Sequence, residues 1–459
     1  MSFVSGGDKG VREASSIRGG FSLLYIAAAV LASILPGRPA HAQLLDNYIQ
    51  PDIYGLGTEP SVTVLSRARP SYDSLGTRIG NVTVRPELFE SFGYDDNVTG
   101  TTKPHGSAII ETNARVQAVF DRSDLNAAAT LTVDDVRYPS QNLQSYTNWT
   151  AGVGGSYQVG RDLLIASFDH VTANQTLRDL DVPQLDQALA YQVNSARLGY
   201  RFVFNRLFVQ PNLTIADYTY DSGFVGGRTY LQNYRDRTVY TPGVTVGYQL
   251  YPLANAVLVI RNGIGKYSVT NSSPFRRDFN DLAVLGGIDI NPAGLVRYRV
   301  LGGYEVRTFV SAAYKTIAAP IVEASVIWNP TGLTTLTGVA ARSIQDSASE
   351  ATAGLTESRL TLRVDHELFR NVLLRGSAGY ALDEYAHSTS SQTLYTAGAG
   401  VTYLVNRNIQ VSANYDFASR RSSGNVTLGT LNLGTNFPGQ QIGSSYSDNR
   451  YLLQVRLAL

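Results

Sequence analysis

Charged residues recur at even spacings along this chain. One stretch holds Arg297, Arg299, Glu305 and Arg307 on a single parity, and another holds Arg359, Arg363, Asp365 and Glu367. Glu111 and Arg115 share a third stretch, Arg197 and Arg201 a fourth, while Arg375, Arg450 and Arg456 are spaced in the same way. Side chains two apart on a strand share a face, so such patterns build a charged strand face that can hold ion pairs and a field directed at water. Acyl or phosphoryl transfer needs more: a nucleophile, a base and an orienting group brought together. The five histidines do not supply it. His41 belongs to a leader, His105 and His387 to polar connectors, and His170 and His366 to apolar parities. No Gly-x-Ser-x-Gly stands in a strand–turn–helix context. Cysteine is absent, which excludes thiol nucleophiles, cysteine-bound metal and disulfides. Asp95-Asp96 and Asp134-Asp135 read as solvated loop acids rather than a calcium site. The chain therefore reads as a non-enzyme with no cofactor and no metal.

The elements that place these charges are strands. The chain ends on YLLQVRLAL, where Tyr451, Leu453, Val455, Leu457 and Leu459 share one parity. Val296, Tyr298, Val300, Tyr304 and Val306 oppose the first arginine face, and Leu360, Leu362, Val364 and Leu368 the second. From Val82 onward, alternating segments are separated by connectors of two kinds that take turns. Tight ones, such as Gly160–Asp162, Asn205–Arg206 and Asn406–Asn408, carry the Gly, Asn, Asp and Pro that short hairpins demand. Long polar ones include Asn271–Asn280 and Arg421–Thr430. Eight tight turns join sixteen strands, and one strand at each end makes eighteen, with sixteen the alternative count.

Strands of this length with no helix to cover a sheet edge need closure. The fold class is all-β: a transmembrane antiparallel up-and-down β-barrel whose apolar parity faces lipid. With 38 basic and 37 acidic residues, no global field points to nucleic acid. Mean hydropathy is −0.09, as expected when only one face of each strand is apolar.

Lys9, Arg12 and Arg18 precede the apolar run Phe21–Leu35, and Ala40-His41-Ala42 follows it. This is the layout of a secretory signal cut after Ala42, with Ala40 and Ala42 as the small residues of the site. The organisation is then a signal peptide over 1–42, an irregular periplasmic segment over 43–80 and a barrel over 81–459.

RARPSYDSLG at Arg67–Gly76 and GYDDNV at Gly93–Val98 resemble the start of the putative β-barrel porin family of Gram-negative bacteria, outer-membrane proteins with an R-x-R-P-x-Y-D element before the barrel. The family often has Pro where Ser74 stands, and barrels usually end on Phe or Trp where this chain has Leu459. The resemblance implies outer-membrane lipid and the barrel-assembly machinery as partners, the latter reading Tyr451–Leu459. It also implies passage of hydrophilic solutes or polysaccharide, since some members are similar to proteins encoded beside exopolysaccharide export genes. A non-conducting barrel anchoring an envelope complex is the alternative, and a lipid-modifying enzyme a more distant one. Oligomeric state is left open.

On the six best-phased strands the polar parity holds eleven arginines against five acids, Glu111, Glu305, Asp365, Glu367 and Asp383. That excess predicts an anion-favouring lumen. The leader predicts that protein recovered from outer membranes begins at Gln43; intact mass lacking residues 1–42 checks it, and a full-length mass refutes it.

Overall fold

Alternation and turn chemistry produce one closed wall. The structure, a computed structural model, describes residues 63–268, 276–290, 295–349, 352–424 and 443–459, so the leader and its Ala40–Ala42 site lie outside the described residues. Eighteen strands form the wall: β1 (Val82–Asp95), β2 (Ser107–Asp121), β3 (Leu125–Arg137), β4 (Tyr146–Val159), β5 (Asp162–Gln175) and β6 (Leu189–Val203). They continue as β7 (Leu207–Tyr220), β8 (Arg237–Tyr251), β9 (Ala254–Tyr267), β10 (Phe279–Ile290), β11 (Val296–Phe309) and β12 (Ile317–Thr331). The last six are β13 (Thr334–Gln345), β14 (Leu355–Phe369), β15 (Val372–Tyr385), β16 (Ser391–Leu404), β17 (Ile409–Ser423) and β18 (Tyr446–Ala458). Each pairs antiparallel with the next, and β18 returns to β1, with Arg450 opposite Asp95 and Ala458 opposite Glu87. Eighteen is thus the strand count. A short strand, Thr77–Ile79, pairs with the start of β1, and a small hairpin, Gly223–Val225 with Arg228–Tyr230, decorates the β7–β8 connection.

Both ends of each strand follow from local chemistry. In the β4–β5 turn Gly160 takes φ +63°, where a Cβ would be strained but meets nothing. Within the wall, Gly287 and Gly303 sit where a Cβ would fall 1.9 Å from the carbonyl of the neighbouring strand, so β10 and β11 approach there as only glycine allows. Among the described residues no helix is long and apolar enough to cross a membrane.

The two faces are inverted relative to a water-soluble fold. Large apolar side chains point outward around the ring: Leu198 on β6, Leu258 on β9, Tyr304 on β11, Leu362 on β14 (44% exposed) and Leu453 on β18 (55% exposed). Buried charges, such as Asp95, Glu305, Arg307 and Asp383, point inward. An apolar belt running around the whole circumference suits a bilayer. His170 and His366 lie on this outer face and bond locally, His170 Nδ1 to Asn194 Oδ1 at 2.8 Å and His366 Nδ1 to Thr334 Oγ1 at 2.9 Å.

Adjacent residues of β14 provide a test of facing. Leu362 is outward and Thr361 inward, opposite Gly379 and Val339. A basic side chain near mid-bilayer costs roughly 2–4 kcal/mol on the lipid face and much less in the lumen. Leu362→Arg should impair folding into lipid vesicles while Thr361→Arg folds nearly as the parent does; equal behaviour would invalidate the assignment of faces.

Candidate functional site

The register places the arginines and acids of the six clearly alternating strands on the inner face. Around β10–β14, Arg307 spans from Asp281 (2.7 Å) to Asp346 (2.8 Å), and Glu305 accepts the Ile344 amide at 3.0 Å. Arg359 pairs with Glu357, and Asp365 receives both Arg363 (3.2 Å) and Arg375 (3.1 Å). At the seam, Arg450 meets Glu111 at 3.0 Å and Arg456 meets Glu87. Arg201 lies 4.2 Å over the Phe208 ring, and Arg115, Arg197, Arg297 and Arg299 share the same inward parity.

The predicted arginine excess does not survive the full register. Four more arginines face the lumen, Arg85, Arg237, Arg261 and Arg420. Eleven more acids do so: Glu87, Asp95, Asp121, Asp134, Asp169 and Asp281, then Asp289, Glu323, Glu357, Asp416 and Asp448. The wall is therefore balanced in sign. The reading of Asp95 and Asp134 as solvated loop acids is corrected as well, because both are buried.

The lumen is crossed by its own chain. The β5–β6 connection, residues 176–188, leaves the wall as a strap and reaches strands on the far side of the ring. Arg178 lies within 2.6 Å of Asp95 and 2.8 Å of Asp448, and its backbone oxygen accepts the Tyr446 hydroxyl at 2.7 Å. Leu180 packs on Ala381, Leu394 and Tyr446 of β15, β16 and β18. The Asp181 amide donates to Gln392 Oε1 at 2.9 Å, and its carboxylate accepts Ala348 N at 2.6 Å and Ser347 Oγ at 3.1 Å. Ser347 and Ala348 belong to the β13–β14 connection, which also folds inward: Asp346 pairs with Arg237 at 2.7 Å, and Arg277 donates to the Ser347 carbonyl at 2.6 Å.

Electrostatics hold this knot. Burial opposes the Arg178 charge, but Asp95, Tyr138 and Asp448 outweigh it and lift its pKa above the arginine range. Burial pushes the Asp181 carboxyl up to about 6 despite Arg235 and the Ala348 amide. Burial also acts on Asp346, yet Arg237, Arg307 and Arg277 hold its carboxyl below the usual range.

The other mouth, at the short turns, holds residues from Thr63 onward. Val64 donates its amide to Thr335 Oγ1 at 2.9 Å and packs on Leu373 and Leu404. Arg69 reaches Glu367 at 2.8 Å and the Val64 carbonyl at 2.6 Å, its amide bonds the Asp73 carboxylate, and the Pro70 carbonyl accepts from Arg407 at 2.7 Å. The R-x-R-P-x-Y-D element is thus a cork fitted into the barrel. A cavity of about 520 Å³ is bordered by strap residues Arg178 and Asp179, by cork residues Leu65 and Arg69, and by Asn148, Asn414 and Gln454 of the wall. A second cavity, about 780 Å³, lies against β8–β13 beside Arg237, Arg261, Glu323 and Arg307.

Strap and cork escaped the reading of the sequence. Their signal was present as apolar residues inside polar connectors: Leu180, Val182 and Leu185 in the strap, Val64 and Leu65 in the cork, all shielded from solvent wholly or in part.

The profile of a family described as putative beta-barrel porin 2 matches residues 69–432. No curated protein matches the chain. Among solved structures, the outer membrane protein OpdK of Pseudomonas aeruginosa is 11% identical over 82% of this chain and 99% of its own, with a TM-score of 0.41. OccK2 of the same organism is 9% identical over 83% and 98%, at 0.42. The siderophore receptor PiuA of Acinetobacter baumannii is 9% identical over 84% and 82%, also at 0.42. Scores this low carry no functional argument.

Arg178 is the residue on which the strap depends most. Arg178→Ala leaves Asp95 and Asp448 buried without their cation, a change that typically costs about 3–5 kcal/mol. It should lower the temperature at which the folded band is lost in heat-modifiability gels. Adding Asp95→Asn and Asp448→Asn should recover part of the loss; no recovery would show that the ion pairs are not the strap's anchor.

Proposed function

We propose that this chain, which belongs to the putative beta-barrel porin 2 family, is an outer-membrane channel for hydrophilic solutes, narrowed from within by its strap and cork. The observation that carries the reading is the interior itself. A polar, charge-balanced lumen of eighteen strands holds a cavity of about 520 Å³ beside the strap and cork and one of about 780 Å³ against β8–β13. Barrels of 16–18 strands are wide enough to leave an aqueous path rather than a packed core. Selection then falls to constriction and paired charge. Arg178, Asp181 and Leu180 set the first narrowing, and Arg69 with Val64 the second. Hydrophilic solutes pass because amides, hydroxyls and ion pairs replace their water.

Export of a polysaccharide is a finer version of the same reading. Its support is the R-x-R-P-x-Y-D resemblance together with uncharged polar groups, Asn148, Asn414 and Gln454, on the cavity wall. The second reading, a non-conducting barrel that anchors an envelope complex, draws on the same two obstructions, since a strap and a cork held by buried pairs suit a closed interior.

Planar-bilayer recording separates them. Refolded protein should conduct, and Arg69→Ala should raise conductance by loosening the cork from Glu367. Silence from correctly folded parent and variant alike would favour the anchor. Conduction unchanged by the variant would leave the channel standing and remove the cork from its barrier.

A further inference from the structure

The lumen is neutral as a whole but divided along its axis. The depth of each inward charge is its distance along the strand from the end at the short turns. Within six residues of that end lie nine arginines and five acids, the acids being Glu87, Asp121, Asp289, Asp365 and Glu367. Deeper than that, towards the long loops, six arginines stand against eleven acids. Ion pairs cancel locally on both sides, yet neither half can neutralise its surplus from within. The inserted segments add to only one side of this division. Arg67 and Arg69 against Asp73 join the basic half at the short turns, whereas on the long-loop side Asp179, Asp181 and Asp346 are offset by Arg178, Arg235 and Arg277, so the acidic surplus there belongs to the wall itself.

We infer that the lumen is an axial charge dipole and that the pore therefore rectifies ionic current. The inference rests on the channel reading above. A wall with surplus carboxylate concentrates cations in the long-loop half, and one with surplus guanidinium concentrates anions in the short-turn half, because low-dielectric walls focus the field. When the long-loop side is positive, cations are driven inward from the acidic half and anions inward from the basic half. Both accumulate where the halves meet, and conductance rises. Reversing the voltage draws both outward and depletes that junction. Net selectivity between cations and anions is weak, because each ion meets one attracting and one repelling half. The predicted anion preference is replaced by a direction preference.

Single-channel recording in symmetric potassium chloride tests this. Near 0.1 M, where the Debye length is about 10 Å, current at equal and opposite voltages should differ roughly two-fold; near 1 M, where it is about 3 Å, the difference should vanish. Orientation is fixed by Ala312→Cys in the exposed β11–β12 loop of a chain without cysteine, using a bulky thiol reagent added to one side. Larger current with the long-loop side positive is the expected sign. Replacing Arg201, Arg297 and Arg299 by Gln should bring the ratio towards one. Should that variant not fold, Asp416→Asn with Glu323→Gln weakens the opposite pole and should do the same, since both carboxylates border the lumen cavities in the long-loop half. Conduction that is equal at both polarities near 0.1 M, or larger with the opposite sign, overturns the inference and leaves the channel intact. A silent bilayer from folded protein overturns the channel and the inference together.

Discussion

Pairing of the backbone governs everything else in this molecule. In hydrocarbon no water is present to satisfy an N–H or C=O, and each one left open costs several kcal/mol. Antiparallel strands satisfy every group only if the first and last meet. Here β18 returns to β1 along nine registered pairs, from Glu87 with Ala458 to Asp95 with Arg450. Once the wall is closed, each side chain has only two directions, lipid or lumen. The period of two makes the apolar parity an outer belt and sends the remaining polar groups inward.

An interior assembled in this way carries a cost that the strap and cork help to offset. Asp95 and Asp448 lie diagonally across the seam, Asp448 two residues beyond the Arg450 that stands opposite Asp95. Arg178 arrives from the far side of the ring and lies between them at 2.6 and 2.8 Å. Such pairs are rarely a net gain over an apolar core, but removing one member strands the other charge. The strap is therefore held as much by what its departure would expose as by what its presence gains. The cork is held on the same terms, with Arg69 against Glu367 and Val64 against Leu373 and Leu404. Both segments narrow the bore without metal or disulfide chemistry of the kind cysteine could provide, since the chain has none.

The inner face is not uniformly polar. Val257, Ala283, Leu285, Leu301 and Ile321 make an apolar patch on the lumen side of β9–β12, and Val171, Ala173 and Leu189 make another beneath the strap. These residues explain why some strands lack a clean polar parity. Asp169 shares its inward face with Val171 and Ala173, and Asp281 shares its own with Ala283 and Leu285. Strands chosen for clear alternation were those where arginine dominated. Most of the further acids sat on strands whose alternation was blurred, while Asp121, Glu357 and Asp448 stood at or near the ends of β2, β14 and β18, so the charge of the clearly alternating spans differed from that of the whole wall.

By itself the sequence determined the class of fold, the eighteen strands, the tight turns and the outward parity of Leu362 and Leu453. Each of these depends on residues within a few positions of one another, where period and turn chemistry act directly. The R-x-R-P-x-Y-D element was equally visible as a pattern. Only the tertiary structure decided that this element fills the mouth of the barrel, that residues 176–188 cross the bore, and that lumen charge balances in total while dividing along the axis. Arg178 lies 270 residues from Asp448 in the chain, and Arg69 lies 298 from Glu367. No local period connects such partners. They meet because closure brings the walls round, and the polar groups left inside must then find one another.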